Sequence, residues 1–154
     1  MTGDTIDTRP AFTVAVTGHR LLPRTVGPRI RCAVHHLVEL YPGSTWLTGG
    51  AIGADQLVAD ELLRLGQVVE LILPCPMDVQ ASQWTPDQRD RFFDQVGRVS
   101  AVEIMRMDYD AEGYRERNRR LVERADLLLA IWRATAGSAR SARPILSAGR
   151  RRAG

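Results

Sequence analysis

The chain has 154 residues, of which 44% are hydrophobic and 25% are charged, a balance typical of one soluble globular domain. This composition excludes a wholly disordered chain, and no apolar run approaches the roughly 20 residues of a membrane-spanning helix. The first ten residues lack the basic and apolar regions of a secretory signal. We therefore expect a cytoplasmic protein with no membrane partner.

Charge is distributed unevenly along the chain. All 21 basic residues are arginines, and residues 1–132 contain 15 of them against 18 acidic residues. Residues 133–154 contain the other six arginines and no acidic residue. This segment is either a solvated end or a non-specific contact for nucleic acid or acidic lipid. Because the rest of the chain is net negative, nucleic acid is not expected as a partner except through the basic tail.

The first half of the chain alternates short apolar runs with segments of helical periodicity. The pattern predicts a strand over 12–16, a helix over 25–40, a strand over 45–48, a helix over 54–65 and a strand over 68–73. Glycine or proline follows most of these segments, as is typical of their ends.

The second half continues the alternation after a predicted loop over 77–85. It predicts a helix over 86–96, a strand over 99–107, a helix over 112–124 and a strand over 127–132. This order favours a Rossmann-like, doubly wound α/β sheet of about five mainly parallel strands with helices on both faces.

The expected organisation is an extension over 1–11, one domain over 12–133 and a divergent tail over 134–154. A last helix over 138–148 is an open alternative for the tail, although Pro144 interrupts it.

Ligands of open parallel sheets bind at the carboxyl ends of the strands, which makes the turn after the first strand a candidate site. This turn contains Thr17, Gly18, His19 and Arg20. Gly18 permits a tight turn, Arg20 offers a guanidinium to a phosphate or carboxylate, and His19 can donate to an anion or carry a proton. In the alternative interpretation, Gly18 only makes the turn and Arg20 pairs with a neighbouring acid.

The second candidate is the side-chain-poor turn before the second helix, formed by Gly49, Gly50, Ala51 and Gly53, with Asp55 in the helix itself. Amide groups at such a helix N-terminus can bind phosphate. Asp55 either accepts ribose hydroxyls or only caps the helix. We expect the two turns to meet at a shared rim and to leave bare amides for an anion.

Weaker candidates lie elsewhere. Arg117 and Asn118 belong to a charged helix whose face is either solvated or directed over the strand ends, and Trp84 and Trp132 either stack on a base or pack in the core. No metal site is expected, because the two cysteines are too far apart for a zinc spacing.

These motifs in this order resemble the SLOG superfamily, a Rossmann-like group that includes the DNA-processing protein DprA and the lonely-guy phosphoribohydrolases. The T-G-H-R branch, similar to YpsA-type proteins, is the nearest match. The strings that carry the resemblance are Thr17–Arg20, Leu47–Asp55, Leu73-Pro74 followed by Trp84, and Arg117-Asn118 before the strand Leu127–Trp132. The resemblance implies a nucleotide pocket formed by Gly18, His19, Arg20, the Gly49–Asp55 loop and Asn118, with a nucleotide or NAD-derived ligand. Pairing of such relatives makes a homodimer an expectation as well.

The sequence departs from the pattern in two places. The P-G-G-x-G-T-x-x-E signature of the phosphoribohydrolases is missing, and Trp132 is followed by an arginine-containing segment with Gly137 alone instead of an acidic, glycine-rich turn. We interpret the tail as a divergent or out-of-frame replacement of the usual C-terminal segment.

The motifs and the resemblance leave three candidate functions. The favoured one is a sensor or regulatory domain that binds a nucleotide or a nucleotide-derived molecule. The alternative is a nucleotide N-glycosidase in which Asp55 stabilises the positive charge on the ribose, Arg20 holds the phosphate and His19 protonates the leaving base. The third is a nucleic-acid-binding protein related to DprA.

Overall fold

The computed structural model describes residues 12–132 and the backbone of residues 148–150. From the N-terminal side, the elements are β1 (Thr13–Gly18), a 3₁₀ helix (Arg24–Val26), α1 (Gly27–Leu40), β2 (Thr45–Thr48), α2 (Ala54–Arg64) and β3 (Val68–Leu73). They are followed by α3 (Met77–Gln80), α4 (Pro86–Arg98), β4 (Ala101–Ile104), α5 (Ala111–Arg124), β5 (Leu127–Ile131) and β6 (Ala148–Arg150).

The strands form one sheet in the order β4-β3-β2-β1-β5-β6. The first five strands pair in parallel, and β6 pairs antiparallel with β5. The predicted Rossmann-like fold of about five mainly parallel strands is confirmed, and β6 adds an antiparallel edge. Among the described residues, no helix is long and apolar enough to cross a bilayer.

Alternating residues of the strands face opposite layers of helices. Val14, Val16 and Trp46 pack with the buried residues of α1 and α2 in one cluster. Ala15 and Leu47, on the opposite face of the sheet, pack against Leu121 of α5. Helices therefore cover both faces, as predicted.

Two predicted boundaries were wrong. The strand predicted over 99–107 is the shorter β4, because Val99 caps α4 and the chain leaves the sheet after Ile104. The predicted loop over 77–85 contains the short α3. The helix predicted over 138–148 lies outside the described residues except for Ala148, which begins β6.

Strand order reverses next to β1. The chain moves from β1 through β2 and β3 to β4 on one side, and α5 then carries it back to β5 on the other side of β1. Such a reversal opens a crevice at the carboxyl ends of the two strands. The fold therefore places the end of β1, and Arg20 just beyond it, at the expected position of a ligand.

An ion cluster joins α1 to α2. Glu61, whose side chain is largely buried, lies 2.6 Å from His35 Nε2 and also accepts hydrogen bonds from Arg64. The bonds from Arg64 and His35 lower the pKa of Glu61 from 4.5 to about 2. The cluster explains why a glutamate occurs on the buried face of α2.

Replacing Glu61 with glutamine removes the charge held by this cluster. A carboxyl whose pKa is lowered by folding stabilises the protein fully above pH 4.5 and loses that effect as the pH falls toward about 2. We expect the difference in unfolding free energy between the parent protein and E61Q to shrink over that range in urea denaturation. Glu123→Gln, at an exposed position of α5, is the matched control. A difference that does not vary with pH would contradict the role of Glu61.

Candidate functional site

The two predicted turns meet at the carboxyl edge of the sheet. The Ala54 N–H, at the start of α2, donates to the His19 carbonyl at 3.1 Å. Gly53 lies so close to this turn that a Cβ at position 53 would stand 2.5 Å from the His19 oxygen and closer still to the Arg20 oxygen. The shared rim expected from the sequence is therefore present.

Protein atoms fill the space beside the glycines of this rim. A Cβ at Gly18 would lie 2.5 Å from both Ala54 Cβ and the Ile131 oxygen, and one at Gly50 would lie 2.8 Å from the Phe92 ring. Gly50 also has a φ of +67°, which side-chain-bearing residues rarely adopt. The packing of the fold thus requires glycine, which has no side chain, at positions 18 and 50, whatever ligand binds nearby.

The expectation that the rim leaves bare amides was wrong for several of its groups. The His19 N–H donates to the Ile131 carbonyl at 3.0 Å, and the Ala54 N–H to His19. The Ala51 N–H donates to Asp55 Oδ2 at 3.3 Å, and the Gly50 N–H to the Thr48 hydroxyl at 3.4 Å. The partners have three sources: the Ala54 bond joins the two turns, the His19 bond joins β1 to β5, and the Gly50 and Ala51 bonds are made to side chains within or next to the second turn.

The first turn of α2 retains the character of a helix N-terminus. The first intrahelical bond runs from the Leu57 N–H to the Gly53 carbonyl at 3.0 Å, so the N–H groups of Asp55 and Gln56 precede it. The positive end of the helix dipole is therefore directed at this part of the rim.

Side chains from three helices hold the carbonyls of the glycine turn on the inner side. Arg117 Nη1 of α5 donates to the Gly49 carbonyl at 3.2 Å, and Gln80 Nε2 of α3 donates to the same oxygen at 3.4 Å. Gln56 Nε2 of α2 donates to the Gly50 carbonyl at 3.3 Å. Sequence reasoning identified Arg117 but missed both glutamines, because nothing in the local sequence distinguishes them from surface residues.

Asp55 lies behind the glycine turn and is only 6% exposed. Burial raises its pKa to about 6, against the opposing effects of the Arg117 guanidinium and the N–H groups of Ala51 and Gly49. Asp55 Oδ2 accepts from the Ala51 N–H of the preceding turn and does not cap α2, whose N-terminus has no side-chain cap. Its catalytic role stays a prediction.

An aromatic ring joins the two predicted arginines. The Tyr114 ring lies 5.9 Å from Arg20 Cζ and 5.4 Å from Arg117 Cζ, measured to the ring centroid. Both distances suit cation–π attraction. Tyr114 was missed by sequence reasoning, since the charged residues around it on α5 gave no sign that the ring faces β1.

The remaining predicted residues surround this cluster. Thr17 lies in β1 opposite Ala130 of β5, and His19 is exposed. Asn118 accepts a hydrogen bond from Arg117 Nε at 3.2 Å and thereby orients that arginine. Trp132, at the end of β5, is 52% exposed.

The weaker aromatic candidate, Trp84, has a structural role. Its ring packs edge-on against Phe92 with the centroids 5.1 Å apart. Core packing, the second of its two interpretations, is therefore the one that the structure supports.

A cleft of about 380 Å³ opens beside the rim, between α2 and the start of α4. The lining residues are Arg20, Leu22, Ile52, Gly53, Gln56, Leu57, Asp87, Gln88 and Arg91. Of the residues in the predicted pocket, Arg20, Gly53 and Ile52 of the Gly49–Asp55 loop belong to this set. Asp55 is not part of it, and α4 contributes residues that are distant from both turns in the sequence.

Replacing Gly53 with alanine tests the contact between the two turns. We expect G53A to lose about 1–3 kcal/mol of unfolding free energy beyond the control, because the new methyl would overlap the His19 and Arg20 carbonyls. Gly66→Ala is the control, since Gly66 also has positive φ but has open space where a Cβ would lie. Equal losses in urea denaturation of the two variants would contradict the close contact.

Replacing Arg117 with methionine tests the electrostatics around Asp55. We expect the pKa of Asp55 to rise above its value of about 6, because the variant loses the charge that favours the ionised carboxylate. Carbon-detected NMR titration of the carboxyl groups measures this, and the dispersion of the same spectra shows whether the variant is folded. Arg115→Met is the control on α5, and an Asp55 pKa unchanged in R117M would refute the interaction.

Comparison with known proteins yields structural neighbours. No protein-family model matches the sequence, and no curated protein matches it significantly. DNA processing protein A (DprA) from Helicobacter pylori, whose structure was described for its single-stranded DNA binding mode, superposes with a TM-score of 0.57 and 18% identity over 82% of this chain. DprA from Streptococcus pneumoniae superposes with a TM-score of 0.59 and 17% identity over 78% of this chain.

A third solved structure, that of TM1055, superposes with a TM-score of 0.51 and 19% identity over 78% of this chain. The chain spans only 57%, 41% and 60% of the lengths of the H. pylori, S. pneumoniae and TM1055 proteins, respectively. At these identities the likeness concerns the fold. The chain therefore has a Rossmann-like fold of the DprA type.

Proposed function

We propose that this chain binds a nucleotide or a nucleotide-derived small molecule in the cleft between α2 and α4. The observation that carries the proposal is the composition of the cleft wall, where a guanidinium and a helix N-terminus adjoin an aliphatic surface. Its volume of about 380 Å³ lies within the range of small-molecule sites. The cleft adjoins the end of β1 through Arg20 and extends toward α2 and α4, and none of its lining residues belongs to β5, the other strand at the reversal.

Each part of the wall suits one part of a nucleotide. Arg20 presents two parallel N–H donors of the kind that bind phosphate, beside the positive end of α2. Leu22, Ile52 and Leu57 offer apolar contact to a flat base. Arg91, on the opposite wall, is ion-paired with Asp60 at 3.2 Å, so Arg20 is the cation of the wall to which we assign the phosphate.

Binding is better supported than N-glycosidic hydrolysis. Hydrolysis requires a carboxylate at the ribose, and Asp55 lies behind the glycine turn instead of in the cleft wall. The carboxylate that does line the cleft is Asp87, at the start of α4. Each binding measurement is accompanied by an assay for released base. The variant D87N tests whether any release depends on the Asp87 carboxylate.

Single-stranded nucleic acid is the second candidate, because one DprA neighbour is described as binding single-stranded DNA. Residues 12–132 contain 14 arginines and 16 acidic residues, which disfavours broad contact of this part of the chain with a phosphate backbone. Nucleic-acid binding would show a steep dependence on salt that a mononucleotide complex lacks.

The test compares AMP with adenosine in calorimetric titrations of the full chain. We expect AMP to bind more tightly, and R20M to weaken AMP binding roughly tenfold or more while leaving adenosine binding nearly unchanged, because a charge-assisted bond to the phosphate is lost. Arg98→Met is the matched control, because Arg98 is the last residue of α4 and is not among the residues that line the cleft. Equal weakening of AMP and adenosine by R20M, or tighter binding of an oligonucleotide with steep salt dependence, would overturn the proposal.

A further inference from the structure

Two large apolar side chains project from the loop between β4 and α5. Met107 is 74% exposed and Tyr109 is 69% exposed. The Tyr109 ring lies edge-on to Tyr114, with the centroids 5.9 Å apart. Tyr114 in turn lies 5.9 Å from Arg20 Cζ, so the aromatic pair adjoins the arginine that also lines the cleft.

The loop that carries these side chains is anchored at both ends. Arg106 pairs with Asp110 at 2.7 Å and with Glu116 at 2.8 Å. The Met105 N–H donates to the Leu73 carbonyl at 2.9 Å, which ties the start of the loop to β3. Asp110 caps α5 by accepting from the Glu112 N–H at 2.9 Å.

This anchoring fixes the backbone of the loop, and the edge-on contact with Tyr114 positions the Tyr109 ring. A side chain on an anchored loop loses little conformational entropy when a ligand stacks on it. The charges of Arg106 are engaged within the loop, whereas Arg20 lies beside the cleft. The loop therefore offers an apolar, aromatic face next to a cation that can hold a phosphate.

We propose that Tyr109 and Met107 form a second subsite, which stacks a second planar base of a ligand whose phosphate is held at Arg20. This inference rests on the proposed function and narrows it to a ligand class, two nucleosides joined through phosphate. The Tyr114 ring lies 5.9 Å from both Arg20 Cζ and the Tyr109 ring, so the Tyr109 ring is at most about 12 Å from Arg20 Cζ.

A nucleobase fits this surface for chemical reasons. Met107 and Tyr109 present one thioether chain and one ring, an area sufficient for a single base. Aromatic rings beside arginines are typical of surfaces that stack bases without reading their sequence. The adjacent positive charge complements the phosphate that such a base carries.

The experiment titrates AMP, the 5′-phosphorylated dinucleotide pApA and NAD into the full chain. The two nucleosides are joined by a 3′–5′ phosphodiester in pApA and by a 5′–5′ pyrophosphate in NAD. The comparison therefore shows which linkage lets the second base reach the subsite. We expect at least one of the two-base ligands to bind about tenfold more tightly than AMP. Tyr109→Ala should remove that advantage and leave AMP binding unchanged, whereas Tyr109→Phe, which keeps the ring, should retain it.

Leu40→Ala, which truncates another exposed apolar side chain at the end of α1, is the control and should change nothing. If AMP binds as proposed but neither two-base ligand gains affinity, the second subsite is refuted and the proposed function stands. The same holds if Y109A weakens AMP and the two-base ligands equally. If no nucleotide binds the parent protein, the proposed function fails and this inference fails with it.

Discussion

The contact between the turn after β1 and the N-terminus of α2 is the constraint on which the rest of the site depends. It is a backbone contact, made by the Ala54 N–H and the His19 carbonyl, and it exists only because Gly53 has no side chain. The contact brings Arg20 beside the first turn of α2, where both line one cleft. A larger residue at position 53 would push the two turns apart and separate the cation from the helix dipole.

A second layer of polar contacts supports this arrangement from inside. Arg117, Gln80 and Gln56 hold the carbonyls of Gly49 and Gly50 on the inner side of the turn. Arg117 also offsets part of the penalty for burying the Asp55 carboxylate, whose pKa nevertheless remains raised to about 6. The glycine turn is thus shaped by internal partners contributed by α2, α3 and α5, and its last residues, Ile52 and Gly53, line the cleft.

The spacing of apolar residues along the chain was sufficient to predict most of the secondary structure and the class of fold. The reason is that buried parallel strands are continuous apolar runs and helices have one apolar face. This spacing was also sufficient to place the two turns at one edge, since parallel strands end on the same side of a sheet. It failed for the amides of His19 and Ala54, which donate to the carbonyls of Ile131 and His19, residues that are far from them in the sequence. Tyr114, Arg91 and Gln80 were missed for the same reason.

The sequence by itself determined the order of strands and helices, the two small-residue turns and the presence of Arg20 after β1, since each depends on residues that are neighbours along the chain. Only the tertiary structure decided that protein atoms fill the space beside the glycines, that Asp55 points inward and that α4 completes the cleft. These features depend on distances between helices and strands brought together by packing, and local periodicity contains no information about such distances.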